Sequence, residues 1–565
     1  MLSVTWLILL AGCERRTGYY PPDTDTDTDP DTASETEEGE AIIDEAVLCT
    51  DPLLRDTQGA YERIELEGLS LQEFDTEPDM TLASGISVGD IDGDGLLDLI
   101  IPQAGPTQLL VQQPDGSFVD ETALRWPEVA DAPGASAAQV VDLDGDGHLD
   151  VFTCSGAPID APPALYYNQL FLGDGQGGLV NASAAWGLEE DISRPCFGVS
   201  FGDIDGDGDL DMAAANNEAC PYDIEANTQD CEAILEQGSS QVLWENQGDR
   251  LVDVSDTLPA EAMLSSFMHV TTLLDLDGDG DLDLYITNDD KQEISFSAHN
   301  YLLRNDGTGQ LTLDEGGHGL DISIAGMGVG VADLNDDALP DIVISGTSRA
   351  ALMLSAGELG WADSAIARGI IFEDPSHIEA WGTALADIDN DGDLDVPFVF
   401  GWLTGDTRDE TIYKQPDALF LSDGEQYTES AAQWGFDDDG IGRGMVVVDL
   451  DGDGWLDIIK RELGGTALVY RARCGEAAWS QLTLQQDGPN PSAIGAVVTL
   501  TADGVTQRRW VLGAGTSFGS NAAVGPHFGL GGATEIEEIR VRWPDGEQTV
   551  YSDLPVRTPL TLTRP

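Results

Sequence analysis

One nine-residue pattern, D-x-D-G-D-G-x-x-D, is repeated along the chain and constrains its fold more than any other feature. Seven copies lie 52 to 72 residues apart, each between two short apolar runs. They start at Asp90, Asp142, Asp203, Asp275, Asp333, Asp387 and Asp449. An apolar run on either side of a polar turn is typical of two strands joined by a loop. We therefore expect an architecture of repeated strand–loop–strand units.

The residue types within the pattern indicate a site for a hard cation. Carboxylates fall at positions 1, 3, 5 and 9, and the backbone carbonyl of position 7 completes a shell like that of the EF-hand loop. Glycines at positions 4 and 6 allow the positive φ angles of a tight turn. Such carboxylates repel one another unless a cation lies between them, and oxygen ligands with flexible geometry favour Ca²⁺ over Mg²⁺. A single copy could equally be an acidic surface turn, but seven copies at one place in a repeat favour about six to seven Ca²⁺ ions.

We call the seven copies the Asp loops and number them in chain order. Their predicted ligands are Asp90, Asp92, Asp94, Leu96 and Asp98; Asp142, Asp144, Asp146, His148 and Asp150; Asp203, Asp205, Asp207, Asp209 and Asp211; Asp275, Asp277, Asp279, Asp281 and Asp283; Asp333, Asn335, Asp337, Leu339 and Asp341; Asp387, Asp389, Asp391, Asp393 and Asp395; and Asp449, Asp451, Asp453, Trp455 and Asp457.

Two of the loops depart from the pattern. The fifth loop lacks both turn glycines and has Asn335 in place of a carboxylate, so we expect it to be the weakest site or empty. The sixth loop has Asn390 at a glycine position, and because asparagine tolerates the left-handed conformation we expect this loop to bind.

The charge of the chain excludes some classes of partner. The 105 acidic residues against 24 basic ones give a net charge of −81 over 565 residues. This charge argues against nucleic acid and against anionic membrane surfaces as partners. The six histidines show no metal-ligand spacing such as H-E-x-x-H.

The N-terminus predicts export. Residues 2–11 form an apolar run that is too short to span a bilayer. This run ends in LAGC at 10–13, which resembles a bacterial lipobox, and by that resemblance Cys13 is lipidated in a signal peptide of residues 1–13. Residues 14–48 are rich in acidic residues and are expected to form a disordered tether. The prediction is a membrane-anchored protein of the cell envelope, at the outer membrane or the cell surface.

Six cysteines remain after Cys13, and an even number in an exported protein suggests disulfides. Our hypothesis for the pairing is Cys220–Cys231, Cys154–Cys196 and Cys49–Cys474.

Residues 49–477 read as one array of seven units with about four strands each. A second apolar motif recurs between the Asp loops, for example QLLV at 108–111 and NQLFL at 168–172. Units of this size and strand number predict the blades of a β-propeller, in which ring closure removes exposed sheet edges. The last unit lacks a strand, and the segment YERIEL at 61–66 is expected to supply it.

The seven loops resemble FG-GAP/VCBS repeats, as in the integrin α-subunit propeller. Residues 478–565 resemble an ASPIC/UnbV domain through IGAVVTL at 494–500, GAGTS at 513–517, HFGLG at 527–531 and VRWPDG at 541–546. The combination is that of cartilage acidic protein and its bacterial relatives. The resemblance implies an all-β fold, with a seven-bladed, integrin-α-like propeller followed by a small β-sandwich-like domain, and a calcium-binding protein outside the cytoplasm.

Several functions are compatible with this reading. We favour a binding or adhesion module with structural Ca²⁺ and a protein or glycan ligand at the propeller rim. The alternatives are a Ca²⁺-dependent carbohydrate-active enzyme, similar to a polysaccharide lyase, and a scaffold lipoprotein in envelope assembly. Two G-x-S-x-G matches, at Ser87 and Ser200, precede Asp loops at equivalent repeat positions. A nucleophile elbow needs a sharp turn from a strand to a helix, so we interpret both matches as part of the repeated strand and not as a hydrolase nucleophile. Trp543 is expected to pack in the core beside a solvated Arg542, in preference to forming a recognition surface with it, and His527 is expected to be structural and not catalytic.

Overall fold

The computed structural model describes residues 37–44, 60–66, 85–103, 105–131, 134–155, 168–188, 196–216, 222–223, 228–229, 241–260, 268–288, 299–373, 378–402, 414–463 and 467–565. All of these residues belong to one compact unit, Thr36–Pro565. The predicted signal peptide and Cys13 lie outside the described residues, as do Cys49, Cys220 and Cys231.

Seven antiparallel four-stranded sheets follow one another through the repeat array. The chain first forms the short strands β1 (Glu37–Glu38), β2 (Ala41–Ile43) and β3 (Tyr61–Glu65). The first three sheets contain β4 (Ser87–Gly89), β5 (Asp98–Ile101), β6 (Gln108–Gln112) and β7 (Phe118–Asp120); β8 (Ala135–Val141), β9 (Asp150–Ser155), β10 (Gln169–Gly173) and β11 (Leu179–Asn181); and β12 (Cys196–Gly202), β13 (Asp211–Asn216), β16 (Val242–Asn246) and β17 (Leu251–Asp253), with a separate hairpin of β14 (Tyr222–Asp223) and β15 (Thr228–Gln229).

The remaining four sheets repeat this order. They contain β18 (Met268–Leu274), β19 (Asp283–Asn288), β20 (Tyr301–Arg304) and β21 (Thr312–Leu313); β22 (Gly328–Ala332), β23 (Asp341–Ser345), β24 (Ala351–Ser355) and β25 (Trp361–Asp363); β26 (Ala380–Thr383), β27 (Val396–Phe400), β29 (Ala418–Ser422) and β30 (Tyr427–Glu429), with the pair β28 (Gln415–Pro416) and β31 (Asp439–Gly440); and β32 (Gly442–Val448), β33 (Asp457–Glu462) and β34 (Ala467–Ala472), which β3 completes.

Helical structure within the described residues is short. It consists of α1 (Thr122–Arg125), α2 (Ala431–Trp434) and single 3₁₀ turns at Pro127–Asp131, Ser255–Thr257, Gly317–Gly319 and Gly357–Leu359. No helix in the described part of the chain has the length and apolar character needed to cross a membrane. The apolar motif that recurs between the Asp loops forms the third strand of each of the first six sheets.

The first strand of each sheet lies deepest in the array. Strands β8 and β12 are buried along their whole length, and their small residues let neighbouring backbones approach. Each first strand contacts the first strand of the next sheet, from β4 to β32. These strands therefore form the inner wall of the array.

The N-terminal strand β3 completes the seventh sheet, which confirms the prediction for residues 61–66. Tyr61 through Glu65 pair in antiparallel register with Ala472 through Leu468 of β34. The seventh sheet also packs on the first, because Val446, Val448 and Leu450 share a hydrophobic cluster with Val88 and Leu99. The two ends of the array are thus joined by backbone pairing and by a common core.

One predicted disulfide is described, and a third cysteine is also bonded. Cys154 and Cys196 form a disulfide between the second and third sheets, as predicted. Cys474 is also disulfide-bonded. Its predicted partner, Cys49, lies outside the described residues.

Residues 478–565 form a domain of two packed sheets. Strands β36 (Val497–Ala502), β37 (Val505–Trp510), β41 (Ile536–Arg542) and β42 (Gln548–Leu554) form one sheet, and β35 (Ala478–Gln485), β40 (His527–Gly531) and β43 (Leu560–Thr563) form the other. Residues from both sheets share one core, including Leu500, Ile539, Leu482 and Leu562. This arrangement agrees with the predicted sandwich.

Part of the predicted tether belongs to this C-terminal domain. Strand β1 pairs in parallel with β42, and β2 pairs in antiparallel fashion with β43. The edges of a sheet offer unpaired backbone groups that a passing segment can satisfy. The expectation of disorder over 14–48 therefore does not hold for residues 37–43.

The C-terminal domain also sends one segment between the first strands of the array. We call residues 513–523 the central segment; it contains β38 (Gly513–Ala514) and β39 (Asn521–Ala522), which pair with β12 and β4. The buried ring of Phe518 lies 4.8 Å from Trp381, 5.5 Å from Phe197 and 5.8 Å from His269, measured between ring centroids. The central segment therefore contacts strands from several different sheets at once.

Further hydrogen bonds extend these contacts. Asn521 accepts from the backbone N–H of Val140 and donates to its carbonyl, at 3.1 and 2.8 Å. The backbone N–H of Val329 donates to the Thr516 carbonyl. With these bonds, the central segment reaches the first strands of the first six sheets.

Candidate metal centres

Each Asp loop joins the first strand of its sheet to the second, and all seven loops have the same internal hydrogen bonds. The backbone N–H of position 6 donates to the carboxylate of position 1 at 2.8 to 3.2 Å in every loop. The backbone N–H of position 7 donates to the carboxylate of position 5 at 2.9 to 3.1 Å. The loop backbone therefore turns the carboxylates of positions 1 and 5 inward.

The position 9 carboxylate has a structural role that the sequence did not reveal. In all seven loops, one of its oxygens accepts from the N–H of position 2. The other oxygen accepts from a backbone N–H at or just beyond the end of the third strand. Position 9 thus fastens the loop to its own sheet. The sequence signal for this role is the place of position 9, which is the first residue of the second strand in six sheets and directly precedes that strand in the sixth sheet.

The remaining atoms fit a divalent cation. In the loops that start at Asp90, Asp142, Asp203, Asp275 and Asp387, oxygens of three carboxylates lie within 4.8 Å of one another. Asp142 Oδ1 and Asp209 Oδ1 are buried and have no hydrogen-bond partner among the described residues. Buried polar atoms normally have partners, so these oxygens indicate room for a ligand that accepts their lone pairs.

Burial makes these carboxylates costly to ionise without a cation. It raises the pKa of Asp98 to about 7 and the pKa values of Asp150 and Asp211 to about 8, and neighbouring loop carboxylates add to each increase. Burial likewise raises the pKa of Asp449 to about 8. A bound divalent cation would stabilise the ionised forms.

The two atypical loops keep the common backbone shape. In the fifth loop, Asp336 and Ala338 adopt φ values of 61° and 72° at the positions where the first loop has Gly93 and Gly95 at 73° and 89°. Asn390 in the sixth loop has φ 58°, as expected of a residue that replaces glycine there. The fifth loop therefore keeps the backbone fold of the other loops. Its non-glycine residues at positive φ add strain, and Asn335 changes its set of ligand atoms.

Arginines contact four of the loops. Arg125 lies 2.9 Å from Asp92 in the first loop, and Arg471 lies 3.4 Å from Asp451 in the seventh. In the fourth loop, Arg304 contacts Asp277 and Asp283 at 3.2 and 2.7 Å, and Arg542 contacts Asp275 at 2.8 Å. In the fifth loop, Arg508 contacts Asp333. Sequence reasoning did not find these pairs, because most of the partners are far apart in the chain.

The C-terminal domain packs directly on the Asp-loop side of the array. The backbone at Gly529 lies so close to the sixth loop that a Cβ there would be 2.0 Å from Asp387 Oδ2. His527 Nε2 lies 3.2 Å from the Gly454 carbonyl in the seventh loop, and burial lowers the pKa of His527 to about 4. His527 is therefore neutral and structural, as expected.

The expectation for Arg542 and Trp543 is confirmed only for the tryptophan. The Trp543 indole is fully buried and donates to Thr549 Oγ1. Arg542 was expected to be solvated, but it instead pairs with the fourth Asp loop. The alternation of apolar and polar residues along this strand predicted that the Arg542 side chain points away from the core. It did not predict that the fourth Asp loop lies against that face of the sheet.

The two serines of the G-x-S-x-G matches lie inside strands and are fully buried. Ser87 Oγ donates to the Ala138 carbonyl, and Ser200 Oγ accepts from the Leu273 N–H. Neither serine lies on a strand-to-helix turn, which confirms that both matches reflect strand register.

Comparison with known proteins agrees with this architecture. The model of the FG-GAP-like repeat matches residues 78–153 and 275–344, and the ASPIC and UnbV model matches residues 486–565. Cartilage acidic protein 1 of Xenopus tropicalis is 24% identical over 503 residues, which cover 84% of this chain and 72% of that protein. The same protein of Mus musculus is 24% identical over 514 residues, covering 85% and 73% of the two chains.

Among solved structures, an Agrocybe aegerita lectin that recognises non-reducing terminal N-acetylglucosamine aligns with 14% identity and a TM-score of 0.38, covering 69% of this chain and 96% of the lectin chain. The family matches agree with the repeated loops and with the two-sheet C-terminal domain. The chain therefore contains FG-GAP-like repeats, matched over 78–153 and 275–344, and an ASPIC and UnbV domain, matched over 486–565, and it is similar over most of its length to cartilage acidic protein 1.

Proposed function

We propose that the chain is an exported binding module built as a closed seven-bladed propeller, in which Ca²⁺ has a structural role. Support for ring closure comes from β3, which completes the seventh sheet, and from the core shared by the seventh and first sheets. Strand β3 pairs with β34, which would otherwise be the exposed edge of a three-stranded sheet, and this explains why the N-terminal strand is used at the far end of the array.

The observation that carries the calcium proposal is the identical hydrogen-bond pattern of all seven loops. In five of the loops, oxygens of three carboxylates lie together in a geometry suited to a hard cation with flexible coordination. They come from positions 1, 3 and 5 in the first, second and fourth loops, and from positions 1, 3 and 9 in the third and sixth. A ligand that binds only the folded state stabilises it by about 2.7 kcal/mol per site at 100-fold excess over Kd. Several such sites would decide whether the array is folded, so we assign Ca²⁺ to stability and not to catalysis.

We further propose that the partner is a protein or a glycan bound on the face opposite the Asp loops. The C-terminal domain packs against the Asp-loop side through contacts to Asp275, Asp333 and Asp387. The second strand ends, and the antiparallel third strand begins, at the opposite end of each sheet. Loops presented by a rigid scaffold are common binding surfaces.

A binding role is favoured over catalysis by the placement of the reactive residue types. The Asp-loop carboxylates, which include the obvious acid pairs, are already used in the loop hydrogen bonds and the proposed metal shells. The two G-x-S-x-G serines are buried in strands. A polysaccharide lyase would release unsaturated products from pectate or alginate, so absence of an absorbance increase near 232 nm is the expected result, and a Ca²⁺-dependent increase would refute the proposal.

Export and lipid attachment at Cys13 complete the proposal. The Cys154–Cys196 disulfide supports it, because disulfides persist mainly in oxidising compartments. Metabolic labelling with a palmitate analogue should mark the intact chain but not the Cys13→Ala variant. Labelling of both proteins, or of neither, would refute the anchor.

The structural role of the metal is tested by a double substitution in the first loop. Asp92→Ala with Asp94→Ala removes two carboxylates of that loop and should lower the midpoint of thermal unfolding in millimolar Ca²⁺, with little effect in EDTA. The control is Glu358→Ala with Glu425→Ala, which removes the same charge at exposed positions outside the loops. Equal midpoints for the two double variants in Ca²⁺ would refute a structural ion in this loop.

A further inference from the structure

The fifth Asp loop combines the common backbone shape with a different set of groups at its centre. Asp333 accepts from the N–H groups of Asp337 and Ala338 at 3.3 and 3.1 Å, as position 1 does elsewhere. At position 3, however, Asn335 Nδ2 donates to Asp341 Oδ1 at 3.3 Å and to the Ser355 carbonyl at 2.9 Å. Asn335 Oδ1 still accepts from the Asp337 N–H at 3.0 Å, as the position 3 carboxylate does in the first and second loops. The amide N–H group therefore replaces only the second carboxylate oxygen, and the fifth loop has one negative charge fewer at its centre.

A guanidinium from the C-terminal domain provides positive charge to this loop. Arg508 Nη1 of β37 lies 2.5 Å from Asp333 Oδ2, and the Asp333 side chain is only 3% exposed. Arg508 Nε also donates to Thr499 Oγ1 of the neighbouring strand, which orients the side chain. A charge-assisted hydrogen bond to a buried carboxylate is stronger than a neutral one.

We propose that Arg508 is the resident cation of the fifth loop and that this loop takes no Ca²⁺. The inference rests on the proposed function, in which the other loops bind the ion. The protein then holds one ion fewer than it has loops, and docking of the C-terminal domain replaces the missing metal. The guanidinium of Arg508, which belongs to the C-terminal domain, neutralises charge in the fifth loop. The loop can therefore keep its shape although it lacks both glycines and one carboxylate.

The fourth loop is the most useful comparison, because arginines also contact its carboxylates. It differs from the fifth loop at position 3, where it has Asp277 in place of Asn335. Arg542 and Arg304 contact its carboxylates, yet positions 1, 3, 5 and 9 all keep a carboxylate and both glycines are present. The fourth loop therefore keeps one more carboxylate at its centre than the fifth loop, and this extra negative charge favours Ca²⁺ even beside the arginines. We therefore assign an ion to the fourth loop but not to the fifth.

The test counts bound Ca²⁺ in the intact chain by inductively coupled plasma mass spectrometry, after gel filtration in about 1 mM Ca²⁺, a concentration suited to weak extracellular sites. The unmodified protein should hold one ion fewer than its seven loops. Arg508→Gln should gain one ion, whereas Arg508→Lys, which keeps the charge, should not. Arg540→Gln is the matched control, because Arg540 lies in the same sheet and pairs only with Glu538 among the described acidic residues.

A second pair of variants keeps the proposal testable if Arg508→Gln fails to fold. Asp333→Asn should leave the ion count unchanged, whereas Asp203→Asn in the third loop should lower it by one. A count of seven in the unmodified protein, no gain in a folded Arg508→Gln variant, or loss of an ion in Asp333→Asn would each overturn the proposal. Absence of Ca²⁺ from every variant would overturn the proposed function itself, which separates the two failures.

Discussion

At the scale of single residues, the position 9 carboxylates link the metal chemistry to the fold. Each one accepts two backbone N–H groups and so fixes its loop to its sheet. A regular pattern predicted that aspartates would occupy these positions. It could not predict the second bond, because the donor belongs to a strand 14 to 35 residues further along the chain.

The raised pKa values of these carboxylates predict how the metal-free protein responds to pH. Burial raises the pKa of Asp98 to about 7 and of Asp150 to about 8, from values near 3.9 in unfolded chains. Between pH ~4 and ~8 the folded state therefore binds more protons than the unfolded state, and the free energy of unfolding falls as pH rises.

Urea unfolding in EDTA should accordingly give midpoints that decrease from pH 5 to pH 8. Excess Ca²⁺ should reduce or reverse this decrease, because the ion binds the deprotonated carboxylates. A midpoint in EDTA that increases over the same range would contradict the assignment of burial as the dominant effect on these groups.

At the scale of structural elements, the central segment joins the C-terminal domain to the array. Its Phe518 ring is 1% exposed and lies against Phe197, His269 and Trp381. Phe518→Ala should destabilise the folded unit by about 3–5 kcal/mol, the usual cost of removing a buried aromatic ring. Val505→Ala, at a position 60% exposed in the same domain, should cost less than about 0.5 kcal/mol.

Equilibrium urea unfolding measures both changes. A loss below about 1 kcal/mol for Phe518→Ala would show that the ring is not an anchor of the two domains. The sequence gives little warning of this role, because Phe518 stands among glycines and serines with no apolar periodicity. Its ring partners are 137 to 321 residues away in the chain.

Other elements were predictable because their signals are local and repeated. The Asp loops, the third strands and the Cys154–Cys196 pair follow from patterns that recur or that join neighbouring units. The strand at Tyr61 was predicted from a missing strand in the last unit. Contacts between the C-terminal domain and the loops were not predictable, since each depends on one arginine or glycine without a repeated signature.

At the scale of the whole molecule, seven similar sheets and one covering domain share a set of acidic loops. These loops account for a large part of the charge of −81, and arginines from the C-terminal domain neutralise two of them. Cation binding and domain docking therefore act on the same surface. The account predicts that metal removal weakens both the individual sheets and the attachment of the C-terminal domain.

The central claim is that bound Ca²⁺ holds this architecture together, and one measurement tests it most directly. Thermal unfolding of residues 36–565 is followed in EDTA and in about 1 mM Ca²⁺, with bound metal counted on the same samples. The account predicts a midpoint higher by at least about 5 °C in Ca²⁺, together with several ions per chain. Equal midpoints and no bound metal would contradict the account.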